Sequence, residues 1–237
     1  MRVAGIDGCK GGWVAVVVED GDAASARTLL IADLETELDA LGADLALIDV
    51  PIGLGTRGRP RRADGAARAA LPGRAPSVFS APSREALSAK THREACEINA
   101  GRLGNMVSQQ AFAIMPKIKE VDDLVGRRPD LALREGHPEV SFALAQNGRP
   151  MAAAKKERGG QAERQALLAR LGFALDDARL AADRAAARAR GFRVGADDLL
   201  DAAILAWSAA RVLEGRHRSF PEPGEADETG RPMAILA

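Results

Sequence analysis

Apolar and polar positions change their period several times along the chain. "MRVAGIDGCKGGWVAVVVED" reads as a strand, a glycine-rich turn and a second strand, because "VAVVVE" is too β-branched and too short before Asp20-Gly21 for a helix. "ARTLLIA" makes a third strand. A helix opens at Asp33 with Leu34, Leu38 and Leu41 on its apolar side and stops at Gly42. "DLALIDVPIGL" is a fourth strand, apolar on both faces and ended by Pro51, as suits a central strand covered on both sides.

The next stretch loses this regularity. "TRGRPRRADGAARAALPGR" carries six arginines against one acid and reads as a loop leading into irregular helix. Thr91 and Glu94 form a capping-box pattern for a helix through Ile98, and Pro116 is expected to split "VSQQAFAIMPKIKEVDDLV" into two helical pieces. "DLALREGHPEVSFAL" returns to a strand, with Pro138 placed to open a helix. Two more helices follow. The last strong one is "GADDLLDAAILAWSAARVLEG", with Leu200, Ile204 and Trp207 on one stripe. "GRPMAILA" reads as a short edge strand. The expected architecture is α/β: three strands in an antiparallel meander, with the fourth and fifth lying parallel beside them. The expected organisation is a single domain over 1–237, with a helical insertion at about 57–130 after the fourth strand.

Composition narrows the function classes. Of the 237 residues, 46% are apolar, enough for a full core, and net charge is formally zero, which argues against a large non-specific nucleic-acid field. Cys9 and Cys96 make neither a disulfide framework nor a zinc set. No apolar run spans a bilayer and no leader precedes the first strand, so the expectation is a cytoplasmic protein that does not contact membranes. Oligomeric state stays open.

Candidate chemistry lies in acids at the ends of elements. Asp7 ends the first strand, Asp49 the fourth and Glu135 the fifth. Asp198 and Asp201 share a face in the first turns of the last helix. If the strands lie side by side, these acids converge at one edge. Carboxylates crowded together stay ionised only beside cations, and Mg2+ or Mn2+, which take hard oxygen ligands, are the expected cofactors. Two such ions can activate a water and stabilise the leaving oxygen of a phosphodiester. Taken singly, each acid has a plainer reading. Asp197 or Asp198 can cap the helix, Asp49 can serve a turn, Glu135 can pair with an arginine, and His137 can orient a loop.

"GIDGCKGGWVAV", "IDVPIGL", "SQQAFAIMPKIKEVD", "EGHPEVSF" and "DDLLDA", spread over residues 5–201, together resemble an uncharacterised family described as predicted RNase H-like nucleases. The resemblance implies an RNase H-like fold and a metal-dependent nuclease. It maps the superfamily's first-strand metal ligand onto Asp7, the fourth-strand acid onto Asp49 and the last-helix acid onto Asp201. Asp198 is a second candidate, as in Holliday-junction resolvases. Glu135 is implied only by the family's E-x-H-P-E motif. The same motifs supply Gln109, Lys117 and Glu120, together with Lys155 or Lys156 and Arg164, whose cations could hold phosphate oxygens or could form solvated helix faces. The run from Arg57 to Arg74, with Arg59, Arg61 and Arg62 at its centre, could hold a nucleic-acid backbone by charge or remain a solvated loop. The chain has no tyrosine and few aromatic platforms, which counts against a dedicated single-strand binder.

Two other classes compete. An actin-like or sugar-kinase-type phosphate binder also opens with an acid before a glycine-rich turn, but such proteins use two copies of the fold, and no second acid–glycine turn is present. A non-catalytic module of the same fold is the other. "GCKGGW" lacks the glycine spacing of a dinucleotide site. The substrate (DNA, RNA or a small phosphodiester) is left open.

Overall fold

A computed structural model describes residues 1–155 and 158–237, and the chain divides into two compact units. The first comprises Met1–Asp49, Ala132–His217 and Leu236–Ala237, the second Val50–Leu131 and Arg218–Ile235.

The first unit is built on a mixed five-stranded sheet. Strands β1 (Arg2–Cys9), β2 (Gly12–Glu19) and β3 (Asp22–Ile31) form the antiparallel meander. Lys10 and Gly11 form the tight first turn, where Gly11 has φ of 104°, a conformation a Cβ would disfavour. The helix expected from Asp33 is shorter than its periodicity suggests. It is α1 (Leu34–Glu37), capped by the Asp33 side chain, followed by one 3-10 turn over Asp39–Leu41 that ends at left-handed Gly42. Strand β4 (Leu45–Ile48) is buried along its whole length and runs parallel to β1.

Beyond the second unit's α2 (Arg62–Ala69), α3 (His92–Leu103) and α4 (Gln109–Arg127), the chain adds β5 (Leu133–Glu135), parallel to β4. The sheet order is β3-β2-β1-β4-β5. Four helices complete the first unit: α5 (Pro138–Ala145), opened by Pro138, α6 (Arg158–Arg170), α7 (Asp177–Ala189) and α8 (Ala196–Leu213).

Helix α8 organises the core. Val3, Val14, Val16, Leu45 and Leu47 from one sheet face pack with Leu199, Leu200, Ile204 and Leu205 of this helix. Gly5 permits the approach, since a Cβ there would lie 2.0 Å from the Ala202 carbonyl oxygen and 2.3 Å from the Ala206 nitrogen. One missing methyl on β1 therefore sets how deep α8 sits.

In the second unit, α4 is one continuous helix with Pro116 inside it, not the two pieces expected. The proline removes one backbone hydrogen bond and costs about 3 kcal/mol. Burial of Ala111, Met115, Ile118, Val121 and Leu124 as one stripe outweighs it, at about 1.5–3 kcal/mol for each large side chain. Thr91 caps α3 as its sequence indicates, accepting from the Glu94 N–H. The C-terminal stretch is not an edge strand of the large sheet. Strand β7 (Pro232–Leu236) pairs with β6 (Ser219–Ala226) in a separate two-stranded sheet, and only Leu236 bridges to Gly136. Arg84 and Arg231 tie Asp122 to this region, with Arg84 also pairing with Asp227 at 2.5 Å.

Candidate functional site

Strand register brings the first two acids together. Gly5 faces α8, so Asp7, two residues on, faces the same way by strand alternation, beside Val14 of the core. Ile6 pairs with Ile48 in parallel register, and the Asp49 N–H donates to the Ile6 carbonyl at 3.0 Å. Asp49 therefore leaves β4 level with Asp7. From above, Asp201 comes down in the second turn of α8, with only 1% of its surface exposed. Asp198, one turn earlier, has a structural duty, because its Oδ2 accepts the Gly195 N–H at 2.8 Å and closes the helix start.

The electrostatics follow from crowding in a dry place. Burial raises the Asp7 carboxyl well above the usual range, and Asp49, Asp201 and Asp198 push it further. Burial also raises Asp49, against the pull of His137 and Lys155. Asp201 is driven by burial up to about 7 although Lys155 opposes the shift. Asp198 is raised by burial too, with its Gly195 hydrogen bond, Lys155 and Arg184 pulling the other way. Among the described residues, the one positive charge set directly on the group is Lys155, whose Nζ donates to Asp201 Oδ2 at 2.9 Å. Burial alone would lower this ammonium, but Asp201, with Asp7 and Asp49 behind it, holds it protonated.

The turn carrying Lys155 is fastened by α6. Glu163 accepts the N–H groups of Ala152 and Ala153, and Arg164 donates to the carbonyls of Ala153 and Gly160. Arg164 is 1% exposed, lies over the Phe142 ring and forms an ion pair with Glu139. It is therefore a buried anchor rather than a surface cation awaiting a phosphate. Lys156 lies outside the described residues.

Glu135 does not join the acids. It pairs with Ile48, and the next residue, Gly136, is the one turned to α8, where a Cβ would lie 2.6 Å from Leu205 Cδ2. Alternation puts Glu135 on the opposite face of the sheet from Asp7, where it is buried. Glu139 takes the neighbouring place instead, its charge acting on both Asp49 and Asp201. The signal for it was in "HPE": a proline opening a helix at the strand end puts the following glutamate in the first turn, at the edge where the acids gather. His137, at the N-cap of α5, lies close enough to Asp49 to pull its carboxyl down, and its Nδ1 is buried without a partner among the described residues.

The remaining expected residues belong to the second unit. Arg61 is 5% exposed and lies 3.5 Å from Asp64, which removes it from any surface phosphate. Arg59 and Arg62 are exposed but line a cavity of about 370 Å³ with Glu225, Asp227 and Glu228, where acids outnumber them. Lys117 and Glu120 are half-buried on α4, and Gln109 hydrogen-bonds to His92 Nδ1.

Among the described residues, no three His, Cys, Asp or Glu side chains converge as a ready-made metal site. The donor chemistry of the acid group nevertheless suits a hard cation. Its oxygens are carboxylates raised by burial and by one another, and Asp201 Oδ1 is buried without a partner among the described residues. Lys155 meets part of that need in the arrangement observed. Also among the described residues, no helix is long and apolar enough to cross a membrane.

No curated protein and no solved structure gives a significant match to the chain. A family model does match, over residues 5–226, a span that includes every acid of the group. The chain therefore belongs to the family described as "Protein of unknown function (DUF429)".

Proposed function

We propose that this protein is a metal-dependent nuclease of RNase H-like fold, hydrolysing phosphodiester bonds at the Asp7–Asp49–Asp201 group. One observation carries the reading: acids level with each other, in β1 and just past the end of β4, lie beneath an acid of the covering helix, and burial raises all three, with neighbouring acids adding to the shift. That is a binding site for positive charge. Asp7, Asp49 and Asp201 would hold Mg2+ or Mn2+, with Asp198 in support. A bound divalent ion supplies a more acidic water and stabilises charge on the leaving oxygen. The chain's own groups do the rest. Lys155 holds Asp201 in place and offers its ammonium to a phosphate oxygen when a cation takes over its countercharge role. His137 lies near Asp49, where its imidazole can take or give a proton.

A second reading, a module that keeps the fold without catalysis, is favoured by the Lys155 ammonium on Asp201. A kinase-type phosphate binder has less support, because the second unit's described elements include only a two-stranded sheet and do not repeat the first.

Melting of the metal-stripped protein, with Mn2+ and then with ATP added, separates the three. A nuclease is stabilised by Mn2+ alone, a kinase-type protein needs nucleotide as well, and a bare module responds to neither. Cleavage of labelled DNA and RNA with Mn2+ completes the test. Asp7→Asn and Asp49→Asn should each abolish cleavage without lowering the melting temperature, and wild-type turnover in either variant would overturn the assignment.

A further inference from the structure

The first unit contains a second concave feature, outside the acid group and outside the motifs that pointed to it. It is a cavity of about 560 Å³ lined by Arg184 and Arg188 of α7, by Phe192, Arg193 and Val194 of the following loop, and by Gly195, where α8 begins. All three arginines are exposed, and no acid among the described residues pairs with any of them. Among the described residues the lining contains no carboxylate. Two interactions fix its shape: Arg184 Nε donates to the Val194 carbonyl at 3.2 Å, and the Arg193 N–H donates to the Lys10 carbonyl at 2.9 Å, on the turn that follows Asp7. Its floor is apolar, from Phe192 and Val194, and the Arg190 guanidinium lies 6.0 Å from the Phe192 ring centroid.

We propose that this cleft is a phosphodiester-binding site that receives the nucleic-acid backbone flanking the bond presented to the acid group. The proposal rests on the nuclease reading and names the surface that grips the substrate. Three guanidiniums with no acid bonded to them, over an apolar floor, match alternating phosphates and sugars, with planar donor forks suited to phosphate oxygens. The volume is that of a small-molecule cleft, enough for a short segment of strand rather than a lone ion. Position favours nucleic acid over an acidic polypeptide. Gly195 lines the cleft and also starts the helix that carries Asp198 and Asp201, and Arg184 is near enough to act on the Asp198 carboxyl. A strand held there runs toward the acids. An acidic polypeptide would gain nothing from that direction and would be repelled on arrival. The Arg59 and Arg62 surface, the stretch suggested by arginine density, is the poorer candidate because Glu225 and Glu228 share its cavity.

The test is equilibrium binding of the full chain, in chelator, to labelled single-stranded DNA, single-stranded RNA and duplex DNA over a range of salt. The variants are R184Q/R188Q/R193Q, the corresponding triple lysine variant, and R59Q/R62Q. Each phosphate neutralised on a single strand contributes about 0.7 to the slope of log K against log salt, so the triple glutamine variant should flatten that slope by about 2. The lysine variant should keep most of it and R59Q/R62Q nearly all, and polyglutamate should compete poorly. The comparison of the three probes shows which nucleic acid the cleft takes. Single charge reversal at Arg188, on the exposed face of α7, replaces the triple variant if that fails to fold. Absence of salt-dependent binding to every probe, an unchanged slope in the triple or reversed variant, or competition by polyglutamate equal to that by nucleic acid overturns the proposal. Binding without metal is independent of cleavage. A protein that binds through the cleft and never cleaves loses the nuclease reading alone, whereas one that cleaves with an unchanged slope in the cleft variants loses the cleft alone.

Discussion

Replacing Asp201 by asparagine removes a buried charge and keeps the shape of the side chain. A carboxyl raised from its ordinary value to about 7 by folding binds a proton more tightly in the folded than in the unfolded chain. Stability therefore falls as pH rises from about 4 to about 7 and levels off above that range, with a full penalty of about 4 kcal/mol. Lys155, held protonated, does not titrate in this window. Asp201→Asn should lack this part of the pH dependence. In chelator at pH 8 the variant should be more stable than wild type by up to about 4 kcal/mol, each kcal/mol raising the melting temperature by roughly 2–4 °C at this chain length. Near pH 4, where the wild-type carboxyl is already protonated, the difference should vanish. Denaturant unfolding and thermal melting at several pH values measure this, and Mn2+ titrations at pH 8 complete the assay. Mn2+ at about a hundred times its Kd should restore about 2.7 kcal/mol to wild type and little to the variant. Wild-type stability that is flat between pH 4 and 8 in chelator, or an Asp201→Asn variant less stable at pH 8, would refute the claim that this group lacks positive charge.

Three further outcomes follow from other contacts. Lys155→Met removes the ammonium from Asp201, so the variant should lose about 1–3 kcal/mol against wild type at pH 8 and much less at pH 5, where a protonated Asp201 needs no partner; pH-resolved unfolding reads the difference. Arg164→Met leaves Glu139 without its buried partner and releases the turn bearing Lys155, and should cost about 3–5 kcal/mol in denaturant unfolding, with Arg164→Lys a poor rescue because one ammonium cannot span Glu139 and two carbonyls. Pro116→Ala should raise stability by about 1–3 kcal/mol, since the exposed proline leaves a helix interior and a backbone hydrogen bond is gained; an unchanged melting temperature would mean the helix has already relaxed around it.

Elements with strong local signals were legible in the amino-acid order alone. β-Branched runs separated by Lys10-Gly11 could only be a tight hairpin, Pro138 could open a helix but not continue a strand, and "DDLLDAAILAWSAARVL" carried both its start signal and its core face. Asp7, Asp49 and Asp201 were legible because each lies near the end of a regular element, although β1 runs two residues past Asp7, to Cys9. Tertiary structure decided what depends on facing and on partners distant in sequence. Glu135 and Glu139 are both acids in one motif, but strand register turned the first to the far face and left the second beside Asp49. Pro116 reads as a break by local rules, and the burial of a whole helical stripe overrode it. The arginines were the hardest to read, since charge density along the chain carries no information about pairing in space. Arg61 and Arg164 are buried against Asp64 and Glu139, Arg59 and Arg62 share a cavity with acids, and Arg184, Arg188 and Arg193, with which no described acid pairs, line a cleft between α7 and α8. Backbone preference acts over a few residues and is written locally, whereas the countercharge that decides what a cation does comes from wherever the fold brings it.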